Sequence, residues 1–146
     1  SFPTRRSSDL ISPIHASHMV LPHCLVVGRG RAYGLQIVSH LKTHLNVTGL
    51  AVIFPFSASA LAAALRTLHP PARVVTIGGA YTDEETAQAR GVWEAYRQEV
   101  EERPEEYGDD EKGAITAFVR VKGVKEGGAV AVAQLIKTEV EKSFRR

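Results

Sequence analysis

Short apolar runs alternate with amphipathic stretches along the chain, and each run stops abruptly at glycine or proline. Three runs have this form, over residues 24–27, 47–54 and 73–77. Apolar runs without internal alternation indicate strands that are buried on both faces. Parallel strands of this kind need helical crossovers, which cover both faces of the sheet. The pattern therefore predicts a three-layer α/β/α sandwich with about four mostly parallel strands, and it leaves the strand order open.

The segments between the runs carry apolar residues at helical spacing. The predicted inward stripes of four helices are, in chain order, Leu35, Val38, Leu41 and Leu45; Leu61, Leu65 and Leu68; Ala89, Trp93, Tyr96 and Val100; and Ala129, Ala133, Ile136, Val140 and Phe144. The first helix is predicted over 31–45. The third begins at Thr82, where Thr followed three residues later by Glu85 is a capping-box signature.

A fourth strand is predicted over 114–121, where Ile115, Ala117, Val119 and Val121 alternate with other residues. Arg120 falls on its wetter face. The acidic, turn-rich segment 104–112, PEEYGDDEK, predicts a mobile surface loop before this strand.

The N-terminal segment is set apart from the fold. Residues 1–10, SFPTRRSSDL, resemble the in-frame translation of a common sequencing-library adapter, and the alternative is a natural polar arm. Met19, the single methionine, is the expected start. We therefore expect a non-native or disordered leader over 1–18 and one domain over 19–146.

The distribution of charge is uneven. Between residues 19 and 82 the chain has no Asp or Glu but five basic residues, and the acids of the expected domain all lie from Asp83 onward. A basic first half attracts an anionic ligand, but five scattered charges do not favour a nucleic-acid partner. We therefore expect no nucleic-acid partner. No apolar run is long enough to span a membrane, so a membrane is not expected as a partner either.

The single cysteine, Cys24, excludes an internal disulfide framework and any multi-cysteine metal site. Because it opens an apolar run, we expect a small buried side chain rather than a nucleophile. These features predict a soluble, cytoplasmic protein.

The loop after the first run, Gly28-Arg29-Gly30-Arg31-Ala32-Tyr33-Gly34, is the main candidate for a binding site. Gly28 would make the turn, Gly30 would let a pyrophosphate approach the backbone, and Gly34 would let the helix pack on the sheet. The start of a helix supplies free N–H groups for a phosphate. Arg29 and Arg31 add positive charge at the same place.

This strand–glycine-loop–helix arrangement resembles the NAD(P)-binding Rossmann proteins, in particular the atypical short-chain dehydrogenases, over residues 24–79. The resemblance implies a Rossmann-like domain that binds a dinucleotide as its cofactor. No metal ion is expected. The window 47–54 lacks the acid that bonds the ribose hydroxyls in NAD-specific members. Ser57 and Ser59 suit a 2′-phosphate instead, which favours NADP(H), although plain helix caps are the alternative for both serines.

A second glycine turn, Gly78-Gly79, follows the third run at the same predicted edge of the sheet. It would border the nucleotide, or it is a tight turn into the capped helix. Both interpretations stay open.

No catalytic residue can be assigned from the resemblance. The Tyr-x-x-x-Lys pair of the short-chain dehydrogenases is missing, because Ile37, Glu85, Val100 and Glu111 stand four positions after the four tyrosines. The chain is therefore expected to be a minimal or truncated NADP-dependent oxidoreductase, or a non-catalytic sensor or interaction module that keeps the fold. A homodimer is an alternative arrangement for either.

His40 and His44 have the i, i+4 spacing of a helical zinc site, but no acid or cysteine lies near them in the sequence. We expect surface histidines and no metal. No P-loop Gly-Lys-Ser/Thr and no Gly-x-Ser-x-Gly elbow occurs in the chain.

Overall fold

The computed structural model describes residues 21–107, 115–121 and 127–144. Its strands are β1 (His23–Gly28), β2 (Asn46–Val52), β3 (Val74–Ile77) and β4 (Ala117–Arg120). Its helices are α1 (Arg31–Leu41), α2 (Ala58–Arg66), α3 (Asp83–Glu102), the short α4 (Pro104–Tyr107) and α5 (Gly128–Phe144). The leader predicted over 1–18 lies outside these residues.

The strands form one parallel sheet in the order β2-β1-β3-β4. The predicted three-layer, Rossmann-like α/β/α architecture with mostly parallel strands is confirmed. After β2 the chain crosses back over β1, so that β3 pairs with the opposite side of β1. The point between β1 and β3 is therefore the topological switch point, beyond whose carboxyl edge doubly wound sheets bind ligands.

Two apolar layers hold the helices on the sheet. The side chains of Leu25, Val27 and Val75 face the layer of α2 and α3. Those of Cys24, Val26 and Val74 face the layer of α1 and α5. This division confirms that the strands are covered on both faces, and the predicted inward stripes of the second and third helices are buried. The stripe of the last helix is also confirmed, although Phe144 is only half-buried.

The first helix differs from the prediction in length and in rotation. It ends at Leu41 rather than at 45, and Leu35 is 47% exposed whereas Gly34 and Ile37 are buried. A Cβ on Gly34 would lie 2.8 Å from Cδ1 of Leu50. The helix thus packs on β2 through a glycine, which turns Leu35 toward solvent.

The prediction was also wrong at the ends of three other segments. Strand β2 stops at Val52, and β4 starts at Ala117, which leaves Ile115 at the surface. Residues 104–107 form a helical turn rather than a loop, because Pro104 is well placed at the first position of a helix. The rest of the predicted loop, 108–112, lies outside the described residues.

Within the described ranges, none of the helices combines the length and the apolarity that crossing a membrane requires.

Candidate functional site

The two glycine turns predicted from the sequence lie against each other at the carboxyl edge of the sheet. Gly28 ends β1, and Gly78 follows β3 directly. The Gly78 N–H donates to the Val27 carbonyl at 3.0 Å. A Cβ on Gly78 would stand 3.7 Å from Cα of Gly28. The strand order therefore brings together segments that are fifty residues apart in the chain.

A cavity of about 150 Å³ opens between these turns, at the switch point of the sheet. Four parts of the chain line it: the end of β1, the glycine loop with the start of α1, the second glycine turn, and the C-terminal part with Val121 after β4 and Val132 in α5. The lining residues are Val26, Val27, Gly28, Arg29, Gly30, Tyr33, Gly34, Ile37, Gly78, Gly79, Ala80, Val121 and Val132. Seven of these residues were not predicted as site residues from the sequence: Val26, Val27, Tyr33, Ile37, Ala80, Val121 and Val132. No contribution from α5 was expected.

The first turn of α1 faces this cavity without a side-chain cap. Gly30 is the cap residue, in an extended conformation with φ −132° and ψ 139°, and its carbonyl accepts the Gly34 N–H at 3.1 Å. No side chain in the described structure caps this end, and the first turn contains no acid. The free N–H groups of a first helical turn need an acceptor from water or a ligand. A Cβ on Gly28 or Gly30 would meet no described atom within 4 Å, so space for a ligand exists there.

Both arginines of the loop are exposed, and Arg29 is among the residues that line the cavity whereas Arg31 is not. The Arg29 guanidinium lies 4.1 Å from the ring centroid of Phe54, which is 64% exposed. Such a cation–π contact fixes the side chain and leaves its charge in place. Arg31 is the first residue of α1 and is exposed. Positive charge and unpaired N–H groups thus coincide at this rim, which favours an anion.

Two of the three acids in the first turn of α3, which follows the second glycine turn, have defined partners. Glu85 Oε1 accepts the Thr82 N–H at 2.9 Å, and Thr82 Oγ1 accepts the Glu85 N–H at 3.0 Å, so the predicted capping box is confirmed. Asp83 Oδ1 lies 2.6 Å from Nη1 of Arg120, whose Nη2 donates to the Tyr81 carbonyl at 3.2 Å. Because these contacts partly neutralise the acids, their repulsion of an anion at the cavity is reduced.

Ser57 and Ser59 do not belong to the group that lines the cavity among the described residues. Ser57 Oγ accepts the Ala60 N–H at 3.1 Å and caps α2, and Ser59 Oγ lies 3.1 Å from it. The structure therefore gives Ser57 the role of a helix cap, the alternative left open by the sequence.

The Tyr81 side chain is buried in the core, where both its hydroxyl and its ring have partners. Its hydroxyl donates to the Ile53 carbonyl at 2.6 Å, and its ring stands edge-on to Phe56 with centroids 5.6 Å apart. Burial raises the pKa of the Tyr81 phenol above its ordinary value, although the nearby Arg29 charge lowers it in part. The hydroxyl thus links the segment after the second glycine turn to the residue that follows β2.

Cys24 is fully buried, as expected, and burial raises the pKa of its thiol to about 12. A thiol of this kind is not a nucleophile at neutral pH. His40 and His44 are both exposed, and the parts of the chain that the structure describes hold no group of three His, Cys, Asp or Glu side chains that could bind a metal ion.

No model of a known protein family matches the chain, and neither a curated protein nor a solved structure matches it.

Proposed function

We propose that the chain binds a phosphorylated dinucleotide of the NADP(H) type, with its phosphates at the N-terminal end of α1. One observation carries the proposal: both glycine turns and the uncapped first turn of α1 line a single cavity at the β1/β3 switch point. Open α/β sheets bind ligands at this place, and a helix start favours phosphate.

The residues present suit the phosphate part of such a ligand. The space above Gly28 and Gly30 admits a pyrophosphate close to the backbone. The cavity itself, at about 150 Å³, is smaller than the roughly 300–1,000 Å³ of complete ligand pockets. One moiety of a dinucleotide would therefore enter it, and the remainder would lie on the surface outside.

The charges favour NADP(H) over NAD. No acid is present between residues 19 and 82 to bond the ribose hydroxyls, while Arg29 and Arg31 supply positive charge at the rim. Ser57 accepts a hydrogen bond as a cap, but a hydroxyl that accepts still holds a proton to donate. One of the Ser57 and Ser59 hydroxyls donates to the other, so the pair keeps one proton, which remains the proposed donor to a 2′-phosphate.

A second candidate, a non-catalytic sensor or interaction module of the same fold, is favoured by the tyrosines. Tyr81 uses its hydroxyl for the Ile53 carbonyl, and no tyrosine of the chain has a lysine four residues later. Both candidates bind the ligand, and they differ in turnover. Oxidation of NADPH by the chain with model carbonyl compounds would favour the oxidoreductase.

The test is calorimetric titration of the full chain with NADPH, NADH, ATP and FMN. NADPH should bind most tightly. Replacing both Arg29 and Arg31 by Ala should weaken NADPH binding by about tenfold or more, since a hydrogen bond between an arginine and a phosphate contributes about 1.5–3 kcal/mol. Lys42→Ala removes a positive charge at the opposite end of α1 and should leave the affinity unchanged.

Two results would contradict the proposal. The absence of heat with all four ligands would refute nucleotide binding. An equal loss of affinity in the Lys42 variant and in the double arginine variant would mean that general charge, rather than the glycine loop, attracts the ligand.

A further inference from the structure

The interior of the cavity differs in chemistry from its rim. Behind the glycine loop, the cavity is lined by the aliphatic side chains of Val26, Ile37, Val121 and Val132, all buried. Its remaining walls are mostly glycine backbone. Arg29 is exposed, so its charge belongs to the rim. The cavity therefore combines an anion-attracting mouth with an apolar floor.

The floor offers little to a polar group. Water in a cavity needs about two to four polar partners, which the aliphatic floor does not supply, and an enclosed apolar cavity of roughly 150 Å³ takes up molecules the size of benzene. A sugar inserted here would leave the hydroxyls that face the aliphatic floor without hydrogen-bond partners, at considerable cost. Size and lining thus select a compact apolar group.

The mouth and the floor are continuous. Gly30 and Gly34 belong to the start of α1 and also line the cavity. Tyr33, 48% exposed, stands between them in the same turn. A group inserted in the cavity would therefore be only a short bond path from an anion at the start of the helix.

We infer that the cavity is a subsite for a single apolar ring of about the size of benzene, carried by a ligand whose phosphate lies at the start of α1. The phosphate half of this inference rests on the proposed function, whereas the ring subsite rests on the cavity alone. The ligand class is thus a phosphorylated compound that places one compact ring in the cavity, and in a dinucleotide this ring would be a base, with its ribose outside the cavity.

The experiment titrates the full chain, with ¹³C-labelled methyl groups, separately with benzene and with inorganic pyrophosphate in NMR. Benzene should shift the methyl signals of Val26, Ile37 and Val132. Val132→Phe fills the cavity and should weaken benzene binding by about tenfold or more, the order of loss that one steric change causes in an apolar pocket. Val130→Phe is the matched control, since it makes the same change two residues away at a position that is 59% exposed.

The two probes separate the outcomes. Benzene shifts that avoid these methyls, or equal benzene affinity in the Val132→Phe and Val130→Phe variants, would overturn the ring subsite. Pyrophosphate should bind the Val132→Phe variant within about twofold of the unchanged chain. If pyrophosphate fails to bind the unchanged chain while benzene shifts the predicted methyls, the proposed function fails and the apolar subsite stands.

A folding defect in Val132→Phe would show as a red shift in the fluorescence of Trp93, the single and buried tryptophan. In that event Val132→Ala replaces it. This variant enlarges the cavity and should raise the affinity for indole relative to benzene by about tenfold. An unchanged ratio would overturn the ring subsite.

Discussion

The hydroxyl of Tyr81 offers a direct test of the packing beside the candidate site. Tyr81 is 3% exposed, and its phenol donates to the Ile53 carbonyl at 2.6 Å. Tyr81→Phe keeps the ring and its edge-on contact with Phe56 but removes the hydrogen bond. The change therefore isolates the polar link between the second glycine turn and the end of the β2 segment.

The expected loss follows from the buried acceptor. A net hydrogen bond contributes about 0.5–1.5 kcal/mol, and a buried carbonyl left without its donor costs about 1–3 kcal/mol. Phe introduces no new volume, so no packing cost is added. We expect the free energy of unfolding to fall by about 1–3 kcal/mol.

Urea denaturation followed by Trp93 fluorescence measures this loss, since Trp93 is buried and lies in the same apolar layer as Tyr81. Tyr33→Phe removes the same hydroxyl from a side chain that is 48% exposed, and it should change the free energy of unfolding by no more than about 0.5 kcal/mol. Equal, small effects of the two variants would refute the reasoning.

Two further predictions concern the thiol and the capping box. Because burial raises the pKa of Cys24 from 9.0 to about 12, stability is retained below pH 9 and is lost as the pH rises toward 12, by at most about 4 kcal/mol. Urea titrations over this range should show a shallower decline for Cys24→Ala, and parallel declines would contradict the assignment. Thr82→Ala removes the acceptor of the Glu85 N–H and should cost about 1 kcal/mol by urea denaturation. Thr82→Ser keeps the hydroxyl and should lose much less; an equal loss would show that the methyl group matters instead.

The order of strands and helices was predictable because each element has its own pattern, but the orientation of α1 was not. Apolar spacing pointed to Leu35, whereas the helix approaches the sheet through Gly34, next to Leu50. A residue without a side chain carries no hydrophobic signal, so a periodicity count places the stripe on its neighbour. The wrong prediction for the exposed Ile115 has a similar cause. Alternation of apolar residues does not show at which residue a strand begins or ends its pairing with the neighbouring strand.

Some residues of the candidate site could likewise be predicted from the sequence, and others could not. The placement of Gly28 and Gly78 followed from the rule that parallel strands end at one edge, and this holds for any strand order. The contribution of Val121 and Val132 required knowing that β3 and β4 lie on the far side of β1 and that α5 packs beside α1. Such long-range pairing leaves no local mark in a single sequence.

The helices that follow β1, β2 and β3 begin near the carboxyl edge of this sheet, and their first turns are satisfied in different ways. Ser57 caps α2, and Thr82 with Glu85 caps α3. The first turn of α1 follows Gly30, which has no side chain to accept a hydrogen bond. The same glycine leaves the mouth of the aliphatic cavity open, since a larger residue there would place atoms in the space now available to a ligand. Glycine at position 30 thus keeps both the N–H groups and the apolar floor accessible. For this reason we expect a ligand with both a phosphate and a ring to bind at α1 rather than at α2 or α3.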